Sequence, residues 1–283
     1  MIATPYWATF WKLALMVANL ACLVIAVMLF AKSKKREALN PENAGYLRIL
    51  RICGLIFVAV ALYRSVFMAR YGGRLAWFDT IFNSPFVIRC LACLAEVSFI
   101  GMIATILVRQ NKTLTLAKSN RSLLALTPHI AFCCISLANF FAFSSLITQF
   151  PIFLFIEESL WAAAFICITP MVFLGLTKIR KQENADKGSR IFFIVMAVWC
   201  VGYNLYQCFY ALPFNYFPRV VASAVKAVPP DALRQAIFGY TVTRDLSVYG
   251  GFGFIIWFTG YFSLCVWMTL LFMTAPGSAK PQE

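Results

Sequence analysis

Two oppositely charged residues stand in one long apolar stretch of the chain. Arg89 and Glu96 lie within 86–108, whose other residues are nearly all apolar. An ionisable side chain inside a membrane-length segment costs a few kcal/mol to insert and marks a candidate functional site. Seven residues make about two helical turns, so the two side chains share a helix face but lie about 10 Å apart along it. We therefore predict that they do not pair directly and that each finds its partner elsewhere.

Other polar residues fall in the same half of neighbouring apolar stretches. Such groups rarely face lipid, so we expect them to converge inside the protein and to bind a small molecule or an ion. Adjacent Glu157 and Glu158 point about 100° apart on a helix, which predicts that one faces the interior and the other the interface. The candidate ligand- or ion-binding residues are Arg64, Arg89, Glu96, Glu157, Glu158, Asn204 and Gln207.

A structural role is the alternative for the same charges. An unpaired charge is costly in a low-dielectric interior, and ion pairs can tie membrane helices together. We predict that Arg64 or Arg89 is the counter-charge of Glu157 or Glu158, because these residues lie at a similar depth in their apolar stretches.

The composition is that of an integral membrane protein. Of the 283 residues, 61% are hydrophobic and 13% charged, and the mean hydropathy is +0.77. A soluble domain needs more polar surface than this. The net charge of +14 is divided among short clusters between apolar runs, which argues against a nucleic-acid partner and for the lipid bilayer as the main environment.

Seven stretches have the length and apolar character of a membrane span, about 20 residues each. The seven stretches show no internal repeat. We therefore predict one all-α domain over 1–283, an integral membrane bundle of seven transmembrane helices. The predicted spans are 10–31, 49–69, 86–108, 124–148, 152–176, 190–212 and 251–274.

Basic residues predict the orientation of this bundle. Lys and Arg concentrate in the 32–48, 109–123 and 177–190 loops, whereas the opposite loops have few. By the positive-inside rule the amino terminus is outside and the carboxyl terminus inside. The long connection 213–250 is then an outer loop, and its segment 232–240 has helical spacing.

The sequence favours binding over catalysis. It has no Ser-His-Asp set, HExxH motif or nucleotide loop, so we predict no catalytic residues, no metal site and no enzyme activity, and the cofactor is unknown. The preferred function is transport or permeation of a small molecule or ion through an outer-half polar cavity. Two alternatives are a receptor or sensor whose basic loops contact a cytoplasmic partner, and a non-catalytic subunit of a larger membrane complex.

The orientation can be tested by cysteine-accessibility labelling on a cysteine-depleted background. A cysteine at position 111 or 184 should be protected from an impermeant reagent in sealed cells, because both positions lie in basic loops. A cysteine at position 149, between the fourth and fifth spans, should react in the same cells. The reverse pattern would contradict the predicted orientation.

Overall fold

The seven predicted membrane spans form helices in the computed structural model, which describes residues 6–116, 122–182, 185–223 and 227–277. Seven helical segments in these ranges are long and apolar enough to cross a membrane, and the chain is a multi-pass membrane protein. The seven segments are formed by α1 Tyr6–Leu39, α2 Ala44–Val66, α3 Pro85–Leu114, α4 Leu123–Thr148, α5 Pro151–Arg180, α6 Lys187–Tyr206 with its continuation, and the broken helix Gly251–Met273.

Local sequence explains where several helices begin and end. Proline occupies the first position of α3 and α5, where its missing N–H costs no hydrogen bond. The side chain of Ser122 accepts a hydrogen bond from the backbone of Ala125 and caps α4. Gln149 then takes a left-handed conformation and ends α4 immediately before α5. These short connections place sequential helices antiparallel and in contact.

The last two spans contain π-helical segments. Helix α6 continues through π1 and then α7, and the seventh span is α10, π2 and α11 in turn. Wide turns of this kind are rare and occur frequently at functional sites. The bounds are π1 Gln207–Tyr216, α7 Phe217–Ala222, α10 Gly251–Thr259, π2 Gly260–Leu264 and α11 Cys265–Met273.

One end of the bundle carries the longer connections, and we call it the loop-rich end. It comprises 67–84, 149–150, Ser223 and 227–250. A small sheet joins two of these connections: β1 pairs antiparallel with β2, which pairs in parallel with β3. Its strands and the short helices beside it are β1 Ala69–Arg70, β2 Leu75–Ala76, the 3-10 turn Ile81–Asn83, α8 Ala232–Phe238, β3 Thr241–Val242 and α9 Leu246–Tyr249.

The opposite end, which we call the basic end, is closed by the segment after α11. The hydroxyl of Tyr46 donates to the carbonyl of Pro276 at 2.5 Å. The N–H of Gly277 donates to Asp186 at 2.8 Å. A Cβ at Gly277 would meet the side chain of Gln110 at 2.5 Å, and Gly277 has a φ of +76°, so this position suits glycine. The 3-10 turn Pro41–Asn43 lies at the same end.

An apolar layer separates this end from the middle of the bundle. Phe99 packs on Phe272 with ring centres 6.0 Å apart, and Phe272 packs on Phe192 at 5.5 Å. All three are almost fully buried. Helices α2 and α11 approach each other closely beside this layer, because the side chain of Met273 lies directly over Gly54 of α2.

The predicted spans are confirmed as helices, with two corrections at the loop-rich end. The outer loop does not begin at 213, because π1 and α7 extend the sixth helix to Ala222. Pro213 does not end the helix, since the wide turn accommodates a residue that lacks an N–H. The described part of the bundle is also not purely α-helical, because three short strands tie 67–84 to 227–250. The helical spacing predicted for 232–240 is confirmed by α8.

The closure of the basic end should depend on pH through Asp186. Burial opposes ionisation of this carboxyl, but hydrogen bonds from Gly277 and Ser189 outweigh burial, so the pKa of Asp186 lies below its ordinary value. A lowered pKa gives stability that is present above the unfolded-state value of about 3.9 and lost as the pH falls through the folded-state value.

We expect Asp186→Ala to lower the free energy of unfolding at pH 7 by about 1 kcal/mol, as loss of a helix cap does. The difference in melting temperature between the variant and the parent should shrink as the pH falls below about 4. Glu42→Gln removes an exposed carboxyl at the same end and serves as the control. A difference for Asp186→Ala that stays constant with pH would contradict the role of its charge.

Candidate functional site

Arg89 and Glu96 form a direct ion pair, contrary to the sequence prediction. Arg89 Nη1 and Nη2 donate to Glu96 Oε1 and Oε2 at 3.2 and 2.7 Å. The prediction failed because it compared backbone positions along the axis. The two long side chains extend toward each other over the same face and close the distance of about two turns.

The same guanidinium connects three further elements. Arg89 Nη1 lies 3.5 Å from Glu157 Oε1 on α5, and Nη2 donates to the side-chain oxygen of Asn139 on α4. Tyr71, between β1 and β2, donates to Glu157 at 3.1 Å and its ring centre lies 5.3 Å from the guanidinium carbon. Arg89 is 1% exposed, so one buried cation fixes α3, α4, α5 and the loop-rich end together. The predicted pairing of an arginine with Glu157 or Glu158 is confirmed for Arg89 and Glu157.

Glu158 is held by neutral donors. Gln207 Nε2 donates to one carboxylate oxygen at 2.6 Å and the hydroxyl of Tyr216 to the other at 3.0 Å. Both donors lie on π1, so the wide turn places them on the same carboxylate. Gln207 Nε2 also lies 2.8 Å from the hydroxyl of Tyr203.

A cavity of about 220 Å³ lies between these carboxyls, within the loop-rich half of the bundle. Glu157 and Glu158 both line it, which corrects the prediction that only one would face the interior. The cavity is wide enough to meet two helix faces about 100° apart. Besides these two, its lining residues are Phe57, Tyr71, Glu96, Phe99, Trp161, Trp199, Tyr203, Tyr206, Ile256, Trp257, Gly260, Tyr261 and Cys265.

The walls of this cavity, which we call the aromatic cavity, are built from paired rings. Trp199 stacks on Tyr203 with ring centres 5.5 Å apart and planes 18° apart. Trp257 stacks on Tyr261 at 5.8 Å and 25°. Tyr261 belongs to π2, so both π-helical segments contribute to the site. Stacked neighbours restrict the orientation of each ring.

Several buried polar atoms around the aromatic cavity have no hydrogen-bond partner among the described residues. They are Glu157 Oε2, Trp199 Nε1 and the hydroxyl oxygen of Tyr261. Buried polar atoms are nearly always paired in folded proteins. These atoms therefore supply one acceptor and two donors that a bound molecule or water can satisfy.

Four predicted site residues lie outside the lining, and two of them, Arg89 and Gln207, contact carboxyls that belong to it. Arg64 is buried with its guanidinium carbon 5.2 and 5.0 Å from the ring centres of Tyr261 and Phe262. No carboxyl among the described residues forms an ion pair with it, so the pairing of Arg64 with Glu158 does not occur. Asn204 donates to Thr169 at 3.2 Å. The structure thus brings Arg89, Glu96, Glu157, Glu158 and Gln207 together and leaves Arg64 and Asn204 at the edge.

Sequence reasoning missed most of the aromatic wall. Trp199, Tyr203 and Gln207 recur at intervals of four, as do Trp257, Tyr261 and Cys265. This spacing places each set on one helix face. The same spacing is typical of ordinary helix packing, so only its coincidence with buried carboxyls distinguishes a site.

No group of three or more potential metal ligands occurs among the described residues. Comparisons with protein-family models, curated proteins and solved structures found no match for this chain. Function must therefore be inferred from the geometry of the site.

A double-mutant cycle tests the central ion pair. Arg89→Gln alone should lower the free energy of unfolding in detergent by about 3–5 kcal/mol, because it leaves Glu96 and Glu157 buried without their cation. Glu157→Gln alone should cost less, because Arg89 keeps its contact with Glu96. The double variant should lose less than the sum of the two.

Arg64→Gln with Glu158→Gln is the matched control cycle. These residues share a depth but do not pair, so their losses should add within about 0.5 kcal/mol. Strict additivity in the first cycle would contradict the pairing of Arg89 with Glu157.

Proposed function

We propose that this membrane protein binds a small organic molecule whose positively charged group lies in the aromatic cavity. The observation that carries the proposal is the surplus of acid: Glu96, Glu157 and Glu158 line the cavity, and among the described residues Arg89 alone forms ion pairs with any of them. A cation would balance the carboxyl charge that Arg89 leaves unmatched.

The walls favour an organic cation over a metal ion. Calcium and magnesium take six or more oxygen ligands in a compact shell. Here the carboxyls are set among indole and phenol rings, whose faces attract ammonium groups and whose apolar surface binds alkyl groups. An anion would meet the carboxyls at close range and would be repelled.

The buried phenylalanine layer below the cavity favours reception of this ligand. The layer of Phe99, Phe272 and Phe192 lies between the aromatic cavity and the basic end, and a continuous aqueous path would have to cross it. A receptor needs only a blind pocket and a change of shape on binding.

Carrier-type transport is the second candidate. The two π-helical segments interrupt the sixth and seventh helices beside the cavity: π2 lines it, and π1 holds Glu158 through Gln207 and Tyr216. Broken helices at a binding site are typical of membrane carriers, in which one end opens while the other is closed. The third possibility, a subunit of a larger complex, stays a prediction from the sequence.

Binding can be measured with choline as a probe, by tryptophan fluorescence and calorimetry on purified protein in detergent. Its neutral analogue, the alcohol with carbon in place of the ammonium nitrogen, has the same shape. Choline should bind about tenfold tighter than the analogue, because only choline gains charge and cation–π interactions. Glu158→Gln should remove most of that difference.

Glu42→Gln removes an exposed carboxyl at the basic end and should leave both affinities unchanged. Equal binding of choline and its analogue, or binding of neither, would refute a cation site. Uptake of labelled choline into proteoliposomes would favour the carrier, and saturable binding without uptake would favour the receptor.

A further inference from the structure

A second cavity adjoins the aromatic cavity toward the loop-rich end. This vestibule has a volume of about 330 Å³. Four residues line both spaces: Tyr71, Glu158, Tyr206 and Trp257. A molecule that reaches the aromatic cavity through the vestibule must pass these side chains, and a longer molecule can occupy both spaces at once.

The charge of the vestibule is opposite to that of the aromatic cavity. Arg70 and Arg219 both line it, together with Glu158. Among the described residues, neither arginine forms an ion pair with a carboxylate. Burial, together with the nearby charge of Arg219, lowers the pKa of Arg70 from its ordinary value. Two guanidinium groups therefore face one space without an acidic partner of their own.

The two arginines differ in how much of their hydrogen-bonding capacity is used. Arg70 Nη1 donates to the backbone carbonyls of Val248 and Tyr249. Gly250, with a φ of +118°, permits this approach, because a Cβ there would lie 3.3 Å from Arg70 Nη1. Arg219 is exposed, and Nη2 donates to the side chain of Asn215 at 2.8 Å. Its remaining N–H groups can meet an incoming anion.

This arrangement disfavours a simple cation as the natural ligand. Such a molecule would pass two guanidinium groups on its way to the carboxyls, and like charges at short range repel. A molecule that carries both a positive and a negative charge would instead make a favourable electrostatic interaction at each end. Its ammonium group would reach the aromatic cavity while its anionic group stayed at the vestibule.

We infer that the ligand is a zwitterion, with an ammonium group held in the aromatic cavity and a carboxylate or phosphate held by Arg219 in the vestibule. The inference rests on the proposed function and narrows its ligand class. Arg70 orients the vestibule wall through the carbonyls of 248–249, and Arg219 contacts the ligand. The rival explanation is that Arg219 only ties α7 to π1 through Asn215.

The test uses trimethylammonium carboxylates with alkyl spacers of increasing length. Each is compared with its primary amide, which has the same cationic end and a neutral end of similar size. In the unmodified protein, the carboxylate with the fitting spacer should bind about tenfold tighter than its amide, as for a charge-assisted hydrogen bond. Arg219→Gln should bring the two affinities together and leave amide binding unchanged or tighter. Arg234→Gln, which removes an exposed arginine outside the vestibule lining, should change neither.

The outcomes separate the two proposals. If amides and choline bind but no carboxylate binds better than its amide, the zwitterion is refuted and the cation site stands. If the carboxylate advantage survives Arg219→Gln, the anionic subsite is assigned to the wrong residue and the inference fails. If no member of the series binds, both proposals fail. The comparison of carboxylate with amide in the unmodified protein still decides between a zwitterion and a simple cation even where Arg219→Gln does not fold.

Discussion

The arrangement of the loop-rich half depends on the cost of burying the Arg89 guanidinium. A cation that is 1% exposed inside a membrane-length helix must recover its lost hydration from fixed partners. Glu96 supplies a two-point contact from the same helix, and Glu157 and Asn139 supply partners from α5 and α4. Helices that share no hydrophobic driving force in lipid are thereby held in one register.

These contacts place more buried carboxyl groups near Arg89 than its single positive charge can neutralise. Glu96 is enough to neutralise Arg89, yet Glu157 contacts the same guanidinium and Glu158 follows it in sequence. Holding Glu158 requires donors from the sixth helix, and π1 supplies Gln207 and Tyr216 at the cost of regular helix geometry. A fold selected only for stability would gain little from an additional buried acid, and the proposal of a positively charged ligand group rests on this surplus.

The sequence predicted the seven long apolar helices well because bilayer thickness alone sets the length of each apolar run. It also identified Arg89, Glu96, Glu157, Glu158 and Gln207, since a polar group in such a run is conspicuous. The prediction that Arg89 and Glu96 do not pair was wrong because it neglected the length of the side chains. The predicted end of the sixth span before Pro213 was wrong, and Tyr261 was missed, because the helix geometry changes at both places. Period-based reasoning assumes a uniform helix, and both π-helical segments break that assumption beside the cavity.

Three arginines near the loop-rich end show which charges can select a ligand. Arg89 forms ion pairs with two carboxylates within the fold, so its charge stabilises the structure and is not available to a ligand. Arg64 lies against the rings of Tyr261 and Phe262 and is buried away from the vestibule lining. Arg219 lies in the vestibule and is exposed, with Asn215 as a neutral partner. Because a fixed charge discriminates among ligands best where it is not already compensated, the proposed binding assigns selectivity at this end to Arg219 and to the carboxyl groups of the aromatic cavity.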